Sequence, residues 1–467
     1  MEKKVDVAII GAGTAGLTAM GYVRRYTDNF VLINGGELGT TCARVGCMPS
    51  KAVIQISEHF HLRHLFDRHA INGSEKLHLD QVEGMEHVRD MRDTFVDRVV
   101  GNSTDNLDDE HLIEAYAQFL EPTLLAVGDL RIRADKVIIA TGSRPIVPEA
   151  WQDFREQVLT TDEFFEQTDF PDKMAVLGLG VIGLEIGQSL HRMGVNVVGV
   201  DLAESIGGVN DPVASKVIAE VIGKEFPLWL GQAASVTQEG EQLRVTAGEN
   251  SMLVDKVLAS LGRVPNIDTL GLENLNIQRN AQGIPDYNLH TGQIADLPIF
   301  IAGDVTGHRP ILHEAGHEAR IAAYNAMHEN VTAFRRKTPL SITFCDPNIA
   351  SVGTPLAELD EERVAIGEMR MGPVGRALIM GKNKGIIRVY GNQVNGKILG
   401  ASLCCVHGEN LAHLLAWAIE QELTVFDLLA MPFYHPVIEE ALQAALYDLM
   451  SKVEYKPDYP VELTPVV

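Results

Sequence analysis

The chain has few cysteines, few basic residues and no long apolar run, and each shortage disfavours a class of protein. Five cysteines among 467 residues, a small and odd number, do not make the disulfide framework of a secreted domain. Acidic residues number 63 and basic residues 39, and the net charge of −24 disfavours nucleic acid and anionic membranes as partners. No uncharged apolar run reaches the roughly 18 residues of a membrane span.

What the chain does contain is an ordinary globular composition, with 46% hydrophobic and 22% charged residues. A length of 467 residues suffices for about three domains. The first apolar run, residues 7–10, lies close to the first residue and already has the pattern of a strand, so we expect no secretory signal. A reducing cytoplasm is the expected location, and two close cysteines are more often catalytic than structural there.

Two of the cysteines, Cys42 and Cys47, are separated by only four residues. A disulfide between them would close too small a loop to remove much entropy from the unfolded chain. Pro49 suits the first turn of a helix that residues 51–65 continue, so Cys47 is expected at a helix N-terminus, where a thiolate is favoured. Two buried structural thiols are the alternative interpretation. The surroundings favour a reactive dithiol.

Two glycine-rich loops follow the pattern GxGxxG. Their glycines are Gly11, Gly13 and Gly16 in the first loop and Gly178, Gly180 and Gly183 in the second. Each loop follows a predicted strand, at residues 5–10 or 174–177, and opens a predicted helix, which is the context of a dinucleotide-binding fingerprint. The glycines permit a tight turn and let backbone N–H groups approach a pyrophosphate at the helix N-terminus. The sequence therefore predicts two dinucleotide-binding domains rather than ordinary glycine turns.

Each copy reaches the end of a second predicted strand 18 residues after its third glycine, at Asn34 and at Asp201. From this position a side chain meets the adenosine ribose. Asp201 can accept hydrogen bonds from ribose hydroxyls, and residues 202–206 contain no Lys or Arg for a 2′-phosphate, so NAD is expected rather than NADP. In the first site Asn34 replaces the usual acidic residue. Its amide can still hydrogen-bond a ribose hydroxyl, so this contact is weakened but the site is not excluded.

Two segments punctuated by glycine and proline mark crossings between domains. Residues 142–148 leave the first dinucleotide domain, and residues 262–266 leave the second. The chain then returns to the first domain with a predicted strand at residues 299–302, and from about residue 339 strands are followed by helices. The predicted fold is α/β: two Rossmann-like domains, formed by residues 1–144 with 266–338 and by residues 145–265, and an α+β domain formed by residues 339–467.

With further motifs, the chain resembles the flavin-dependent pyridine nucleotide–disulfide oxidoreductases over essentially its whole length, and it is most similar to their dihydrolipoamide dehydrogenases. Besides the two glycine loops and Glu185, the motifs are Cys42-x-x-Val45-Gly46-Cys47-x-Pro49-Ser50-Lys51, Ala140-Thr141-Gly142-Ser143-Arg144-Pro145, Gly262-Arg263-x-Pro265-Asn266, Ala302-Gly303-Asp304 and His435-Pro436-x-x-x-Glu440. The resemblance implies FAD in the first dinucleotide domain, NAD in the second, and a C-terminal dimerisation domain.

The resemblance also implies roles around the cofactors. Asp304 would hold the ribityl chain, and the backbone of Ala117 would meet the adenine. Lys51 would lie near flavin N5, paired with Glu185, where the two charges tune the flavin. Gly142 and Gly262 belong to the cofactor-binding motifs.

In such enzymes Cys47 faces the flavin and Cys42 exchanges with the substrate, so the pair relays two electrons between flavin and sulfur. His435 would take the proton of a substrate thiol, and Glu440 would orient its imidazole. We expect a homodimer in which His435 serves the Cys pair of the other subunit. The apolar residues expected to need a partner's surface are Leu411, Leu414, Leu415 and Ile419.

Several positions depart from the family pattern. Thr40 replaces a glycine, and Arg44 replaces the Asn of the lipoamide enzymes; Arg44 could face an anionic substrate or pair with a surface carboxylate. Cys404, Cys405 and Cys345 are expected in the core, and the terminal Cys pair of mercuric reductases is absent from the sequence.

Dihydrolipoamide, free or borne by a lipoyl protein, is the leading substrate, and another small disulfide is the nearest variant. The alternatives are an NADPH-dependent glutathione-type reductase, a flavin transhydrogenase, which Cys47 disfavours, and a protein whose main role is docking into a multienzyme complex.

Overall fold

The computed structural model describes residues 2–463 and 466, and the strands of these residues form five sheets. The first sheet and the helices beside it begin with β1 (Glu2–Ile10), α1 (Thr14–Val23), β2 (Phe30–Ile33), α2 (Thr41–Val45), α3 (Cys47–His61), α4 (Gln81–Gly101), β3 (Leu112–Ile113), β4 (Ala117–Glu121), β5 (Leu124–Val127) and β6 (Leu130–Ile139). Strand β1 lies between β2 and β6 and is parallel to both, whereas β4, β5 and β6 are antiparallel. All four residues of β2 are buried, as expected for a parallel strand covered on both faces.

The second dinucleotide unit repeats this arrangement. Its elements are β7 (Ser143–Pro145), β8 (Val158–Leu159), α5 (Thr161–Phe164), β9 (Lys173–Leu177), α6 (Val181–Arg192), β10 (Asn196–Val200), α7 (Pro212–Ile222), β11 (Leu228–Trp229), β12 (Ser235–Glu239), β13 (Gln242–Ala247), β14 (Asn250–Val254), β15 (Lys256–Ala259) and β16 (Arg263–Pro265). A parallel sheet runs in the order β11-β10-β9-β15-β8, and an antiparallel sheet of β12, β13 and β14 lies apart from it.

The chain then returns to the first sheet before it forms the C-terminal part. The remaining elements are β17 (Ile299–Ile301), α8 (Leu312–Met327), β18 (Leu340–Thr343), β19 (Asn348–Gly353), β20 (Val364–Arg370), α9 (Gly375–Met380), β21 (Ile386–Asn392), β22 (Ile398–Cys405), α10 (Gly408–Glu420), α11 (Val425–Leu429) and α12 (Glu439–Lys452). Strand β17 pairs with β6, as a return to the first domain requires. The last five strands form an antiparallel sheet covered by α10 and α12.

The predicted α/β fold, with two Rossmann-like units and a C-terminal α+β domain, is confirmed. Strands β2 and β10 have the bounds that their apolar runs predict, and α3 begins at Cys47, as the position of Pro49 predicts. The residue limits of the three domains stay a prediction. In the described part of the chain, no helix is both long and apolar enough for a membrane span.

The two predicted crossing segments pair with each other. Strand β7 is antiparallel to β16, with Arg263 opposite Pro145 and Pro265 opposite Ser143. The chain therefore enters and leaves the second unit through one two-stranded ribbon.

The expected apolar contact surface of α10 is only partly correct. Leu411 and Leu415 are 0% and 1% exposed, because they face the C-terminal sheet and belong to its core, so the expectation that they need a partner is wrong. Ile419 is partly buried against the same core. The outer face of α10 instead exposes Leu414 and, more strongly, Trp417, which is 64% exposed.

A buried carboxylate joins the second unit to the C-terminal sheet. Asp211 Oδ1 caps α7 by accepting hydrogen bonds from the N–H groups of Val213 and Ala214. Its Oδ2 accepts hydrogen bonds from Arg388 Nε at 2.6 Å and from the Tyr390 hydroxyl at 2.7 Å. The Asp211 side chain is fully buried. Burial alone would raise its pKa, but the hydrogen bonds from Tyr390 and Arg388 bring the pKa below its ordinary value.

Replacing this carboxylate is expected to destabilise the whole fold. The substitution Asp211→Ala should lower the free energy of unfolding by about 3–5 kcal/mol, since it leaves a buried guanidinium without this partner and removes a helix cap. Because the pKa of Asp211 is lowered on folding, its stabilising contribution is present above its unfolded pKa and is lost as the pH falls through the folded pKa. Urea unfolding at neutral and acidic pH measures both effects.

The matched control is Asp360→Ala, because Asp360 forms an exposed pair with Arg363 at 3.9 Å. This variant should change stability by less than about 1 kcal/mol. Equal losses in the two variants would contradict the role assigned to Asp211.

Candidate active site

The first glycine loop has the geometry of a phosphate cradle. Gly11 has φ +108°, and a Cβ atom there would lie 2.3 Å from the carbonyl oxygen of Ala140, which directly follows the neighbouring strand β6. A Cβ on Gly16 would lie 1.8 Å from the Gly11 carbonyl oxygen, so α1 packs directly against the loop. Gly13, in contrast, faces open space and precedes α1 with no side chain capping the helix. The free N–H groups at this helix start suit a pyrophosphate.

The second loop repeats the same contacts. Gly178 has φ +90°, and a Cβ there would lie 2.3 Å from the carbonyl oxygen of Ser260. A Cβ on Gly183 would lie 1.9 Å from the Gly178 carbonyl oxygen, and Gly180 faces open space at the uncapped start of α6. Both sites therefore fit a dinucleotide, on the same steric grounds.

Asn34 and Asp201 occupy equivalent positions and brace the two loops. Asn34 Oδ1 accepts a hydrogen bond from the N–H of Ala12 at 3.0 Å. Asp201 Oδ2 accepts one from the N–H of Leu179 at 2.6 Å, and its Oδ1 accepts one from Ala203 at 2.8 Å. This bracing role was not foreseen from the sequence, which indicates only the strand ends.

The remaining residues expected around the first site lie on neighbouring elements. Asp304 follows β17 in a short 3-10 turn, and its Oδ2 accepts a hydrogen bond from the Ser143 hydroxyl at 2.9 Å. Ser143 Oγ in turn accepts a hydrogen bond from Arg263 Nε at 2.8 Å. Gly142 has φ +68° and an open Cβ direction, and Gly262 has φ +99° at the entry of the ribbon.

At the adenine end of the expected site, Ala117 begins β4 and is buried. The sequence did not single out its neighbour Tyr116, which is 73% exposed and packs its ring against Gly35. A Cβ on Gly35 would lie 2.5 Å from that ring, so this glycine is required by the close approach of Tyr116.

The two cysteines lie on consecutive helices, α2 of five residues and α3 of 15. Cys42 belongs to α2, which Thr40 caps by accepting a hydrogen bond from the N–H of Ala43. Cys47 is the first residue of α3 and is exposed, while Cys42 is partly buried. The helix start favours negative charge on the Cys47 sulfur.

The two thiols titrate at different pH. Interaction with the Cys42 thiol, followed by the charge of Lys51, lowers the pKa of Cys47 to about 7. Interaction with Cys47 and burial raise the pKa of Cys42 well above its ordinary value. In the reduced pair the negative charge therefore forms first on Cys47.

One turn along α3, Lys51 meets residues from the other two parts of the chain. Its Nζ lies 2.8 Å from Oε2 of Glu185, which is on α6 and 4% exposed. Glu185 Oε1 accepts a hydrogen bond from the N–H of Phe344 at 2.9 Å, and the Lys51 ammonium lies 4.5 Å from the centre of the Phe344 ring. Phe344 was missed at the sequence level, since a backbone N–H has no sequence signature.

His435 and Glu440 meet at the start of α12. The imidazole Nδ1 lies 2.7 Å from Glu440 Oε1, and Glu440 Oε2 accepts a hydrogen bond from the N–H of Val437. The hydrogen bond with His435 lowers the pKa of Glu440. The His435 side chain is 80% exposed, and its described hydrogen bond is to Glu440, not to the Cys pair of its own chain.

The other cysteines and Arg44 have the surroundings expected of structural residues. Cys345, Cys404 and Cys405 are 2%, 0% and 0% exposed, which confirms their expected core positions. Arg44 pairs with Glu37, an exposed carboxylate, as the simpler of its two interpretations predicted.

The lowered pKa of Cys47 predicts the pH dependence of its alkylation. In the reduced protein, the rate of reaction of Cys47 with iodoacetamide should rise with pH with a midpoint near pH 7, since the thiolate is the nucleophile. Cys42→Ala should move the midpoint to higher pH because it removes the thiol whose interaction lowers the pKa of Cys47 most. Peptide mass spectrometry of the alkylated protein measures the rate at each cysteine.

Buried Cys345, whose pKa burial raises, is the internal control and should stay unmodified throughout. The assignment fails if the Cys47 midpoint is that of a free cysteine and Cys42→Ala does not move it.

Comparison with known proteins agrees with this geometry. The family model described as pyridine nucleotide-disulphide oxidoreductase matches residues 5–326, and the dimerisation domain of the same family matches residues 340–446. A dihydrolipoyl dehydrogenase of Haloferax volcanii is 29% identical over 461 residues, which cover 94% of this chain and 95% of that protein. A mercuric reductase of Staphylococcus aureus is 26% identical over 438 residues, which cover 91% of this chain and 78% of that protein.

Solved structures show the same fold. The Cu(II) complex of the HOCl-induced flavoprotein disulfide reductase RclA from Escherichia coli has a TM-score of 0.82 at 22% identity and covers 97% of this chain and 100% of its own. LpdA from Mycobacterium tuberculosis has a TM-score of 0.82 at 23% identity and covers 96% of this chain and 100% of its own. Because the two family models together span both glycine loops, the Cys pair and the C-terminal sheet, the chain belongs to the pyridine nucleotide-disulphide oxidoreductase family.

Proposed function

We propose that this protein is a dihydrolipoamide dehydrogenase-like enzyme, passing two electrons between a small dithiol, Cys42 and Cys47, FAD and NAD. FAD and NAD(H) are the cofactors of its family. The observation that carries the proposal is the Cys pair itself: a low-pKa thiol at a helix start, one turn from Lys51 and its buried partner Glu185. We place this dithiol chemistry in the reducing cytoplasm, where a close thiol pair persists.

The residues present fit both cofactors. Each glycine loop offers a pyrophosphate the uncapped start of a helix. Asp304 Oδ2 accepts the hydrogen bond from the Ser143 hydroxyl, while no described residue donates a hydrogen bond to Asp304 Oδ1. That oxygen suits a ribityl hydroxyl. FAD, when bound, supplies two-electron transfer between sulfur and nicotinamide. Lys51 would hold a positive charge beside the flavin, because Glu185 and Phe344 fix the position of its ammonium group.

The protein's own part of the reaction is thiol–disulfide exchange. A substrate thiolate attacks Cys42 Sγ in the oxidised pair, the Cys42–Cys47 bond breaks, and Cys47 leaves as a thiolate. Its pKa of about 7 makes it a good leaving group. The second substrate thiolate then attacks the substrate sulfur bonded to Cys42, so the substrate disulfide forms and Cys42 is released as a thiol.

His435 takes the proton of the first substrate thiol and passes it to solvent, then takes the proton of the second and gives it to the departing Cys42 sulfur, while Glu440 holds the ring in position. Since the imidazole is exposed and does not contact the Cys pair of its own chain, we propose that it serves the pair of a second subunit in a homodimer.

Steady-state turnover tests the substrate assignment. Purified enzyme is assayed with dihydrolipoamide and NAD, and in the reverse direction with lipoamide, glutathione disulfide or Hg²⁺ as oxidants of NADH. The proposal predicts that lipoamide gives the highest kcat/KM. A preference for glutathione disulfide or Hg²⁺ would instead assign the chain to the corresponding branch of the family.

Asp201 predicts a preference for NAD over NADP. Both of its oxygens lie at the end of β10 beside the second loop, and Glu204 adds a second negative charge. A 2′-phosphate placed there would meet like charge, which costs a few kcal/mol at an effective dielectric constant near 20, or about a hundredfold in kcat/KM. The ratio of kcat/KM for the two cofactors measures this.

Asp201→Asn is the matched variant, because the amide oxygen keeps one brace to the loop without the charge. This variant should use NADP better and so lower the ratio of kcat/KM for NAD to that for NADP several-fold. Equal efficiency with both cofactors in the unmodified enzyme would rule out the assignment.

A further inference from the structure

The linker between α8 and β18, residues 328–339, makes contacts in two directions. Lys337 Nζ lies 3.4 Å from Glu420 Oε1 at the end of α10, and the N–H of Thr338 donates to Glu420 Oε2 at 2.9 Å. Arg335 extends to the same glutamate at 3.7 Å. Arg336 alone among these four residues extends the opposite way, towards α8.

Arg336 lies in a buried cluster of opposite charge. Its Nη2 is 2.7 Å from Glu314 Oε2 and 2.7 Å from Glu318 Oε1. The three side chains are 9%, 2% and 5% exposed, and both glutamates belong to α8. Linker and helix are therefore joined by a charge cluster that solvent barely reaches.

The second oxygen of Glu318 holds the backbone next to Asp304. Glu318 Oε2 accepts a hydrogen bond from the N–H of Gly303 at 2.8 Å. Gly303 has φ +85°, and a Cβ there would lie 2.9 Å from the Cβ of Ala15 in the first glycine loop. One glutamate thus connects the linker arginine to the segment that lies against the phosphate loop.

Stability alone is a poor explanation for this arginine. Its buried Nε has no hydrogen-bond partner among the residues that the structure describes, which costs free energy. Buried ion pairs are also often no more stabilising than apolar residues of similar size. Burial also raises the pKa of Glu318, so its ionised form depends on the charge beside it. Arg336 instead fixes the orientation of the Glu318 carboxylate, whose other oxygen accepts the hydrogen bond from the N–H of Gly303.

We propose that Arg336 is a positioning residue of the FAD site: it fixes Glu318, which holds Gly303 and so sets Asp304 against the ribityl chain. This inference rests on the proposed FAD site in the first dinucleotide unit. It makes cofactor retention depend on a linker that is also tied to α10, the helix with the exposed Leu414 and Trp417.

FAD affinity of the full-length protein tests the inference. The unmodified protein, Arg336→Met and Arg335→Met are freed of flavin and titrated with FAD, with flavin fluorescence as the readout, and circular dichroism and thermal unfolding report whether each apoprotein is folded. Arg336→Met should weaken FAD binding at least about tenfold, the effect of losing a positioned charged hydrogen bond. Arg335→Met, on the exposed side of the same linker, should stay within twofold. NADH affinity should not change in either variant.

Two further variants make every outcome decisive. If Arg336→Met does not fold, Glu318→Gln replaces it, because one amide oxygen cannot serve both Arg336 and Gly303; its expected effect is the same. Folded Arg336→Met or Glu318→Gln with unchanged FAD affinity overturns the inference. Asp304→Ala distinguishes this from failure of the proposed function: if Asp304→Ala also binds FAD normally, the FAD site itself is misassigned.

Discussion

Cys47→Ser is expected to lower disulfide-dependent turnover by roughly a thousandfold or more, because it removes the thiolate that accepts and returns the electrons of the pair. The same variant should still oxidise NADH with an artificial one-electron acceptor, since that reaction does not pass through sulfur. Steady-state assays of both reactions on one preparation measure the split. A loss of both activities would indicate a folding defect, which thermal unfolding of the variant identifies.

Cys405→Ala is the matched control. Cys405 is buried in β22, and burial raises its pKa, so it has neither the exposure nor the thiolate character of Cys47. Its substitution should leave disulfide turnover within a fewfold of the unmodified enzyme. If Cys47→Ser keeps its disulfide activity, the redox assignment of the pair is wrong.

His435→Ala is expected to lower disulfide turnover by about 10²- to 10⁴-fold, the usual contribution of a positioned acid–base group. The ring is 80% exposed and contacts Glu440 of its own chain, and we have proposed that it serves the Cys pair of a second subunit. Inactive Cys42→Ser and inactive His435→Ala chains are therefore mixed under conditions that exchange subunits. Heterodimers should regain one complete site, and random exchange should restore a measurable fraction of activity.

His413→Ala is the control for this experiment, since His413 lies exposed on α10 and bonds to a backbone carbonyl of its own helix. It should remain active. If subunit exchange is demonstrated by mass and no activity returns, the site is not shared between chains.

The parts of the site that were predicted from sequence are those where sterics or spacing leave few alternatives. Gly11 and Gly178 combine a φ near +100° with no room for a Cβ, and Gly16 and Gly183 have no room for a Cβ where their helices pack on the loops, so all four positions require glycine and mark both loops in the sequence. The position of Cys47 at the start of α3 follows from Pro49, two residues later.

The parts that were missed depend on residues far apart in sequence. Asp211 meets Arg388 across 177 positions, and Glu318 meets Arg336 from another element. The amphipathic pattern of α10 predicts apolar faces but not which of them packs on the sheet, and so Leu411 and Leu415 were placed on the wrong side. Local periodicity shows that a helix has an apolar face, but which element packs against that face is decided by tertiary structure.

The ribbon of β7 and β16 gives the chain the connectivity of one domain inserted into another. Because Arg263 lies opposite Pro145, the inserted part begins and ends about 5 Å apart, the spacing of paired strands. An insertion with adjacent ends behaves as a cassette: it can be exchanged for a related one without lengthening or threading any other loop. In the proposed assignment, the residues that set nicotinamide preference lie inside this cassette and the flavin site lies outside it, so the two can diverge separately, with the Lys51–Glu185 pair as the contact that any exchanged cassette must restore.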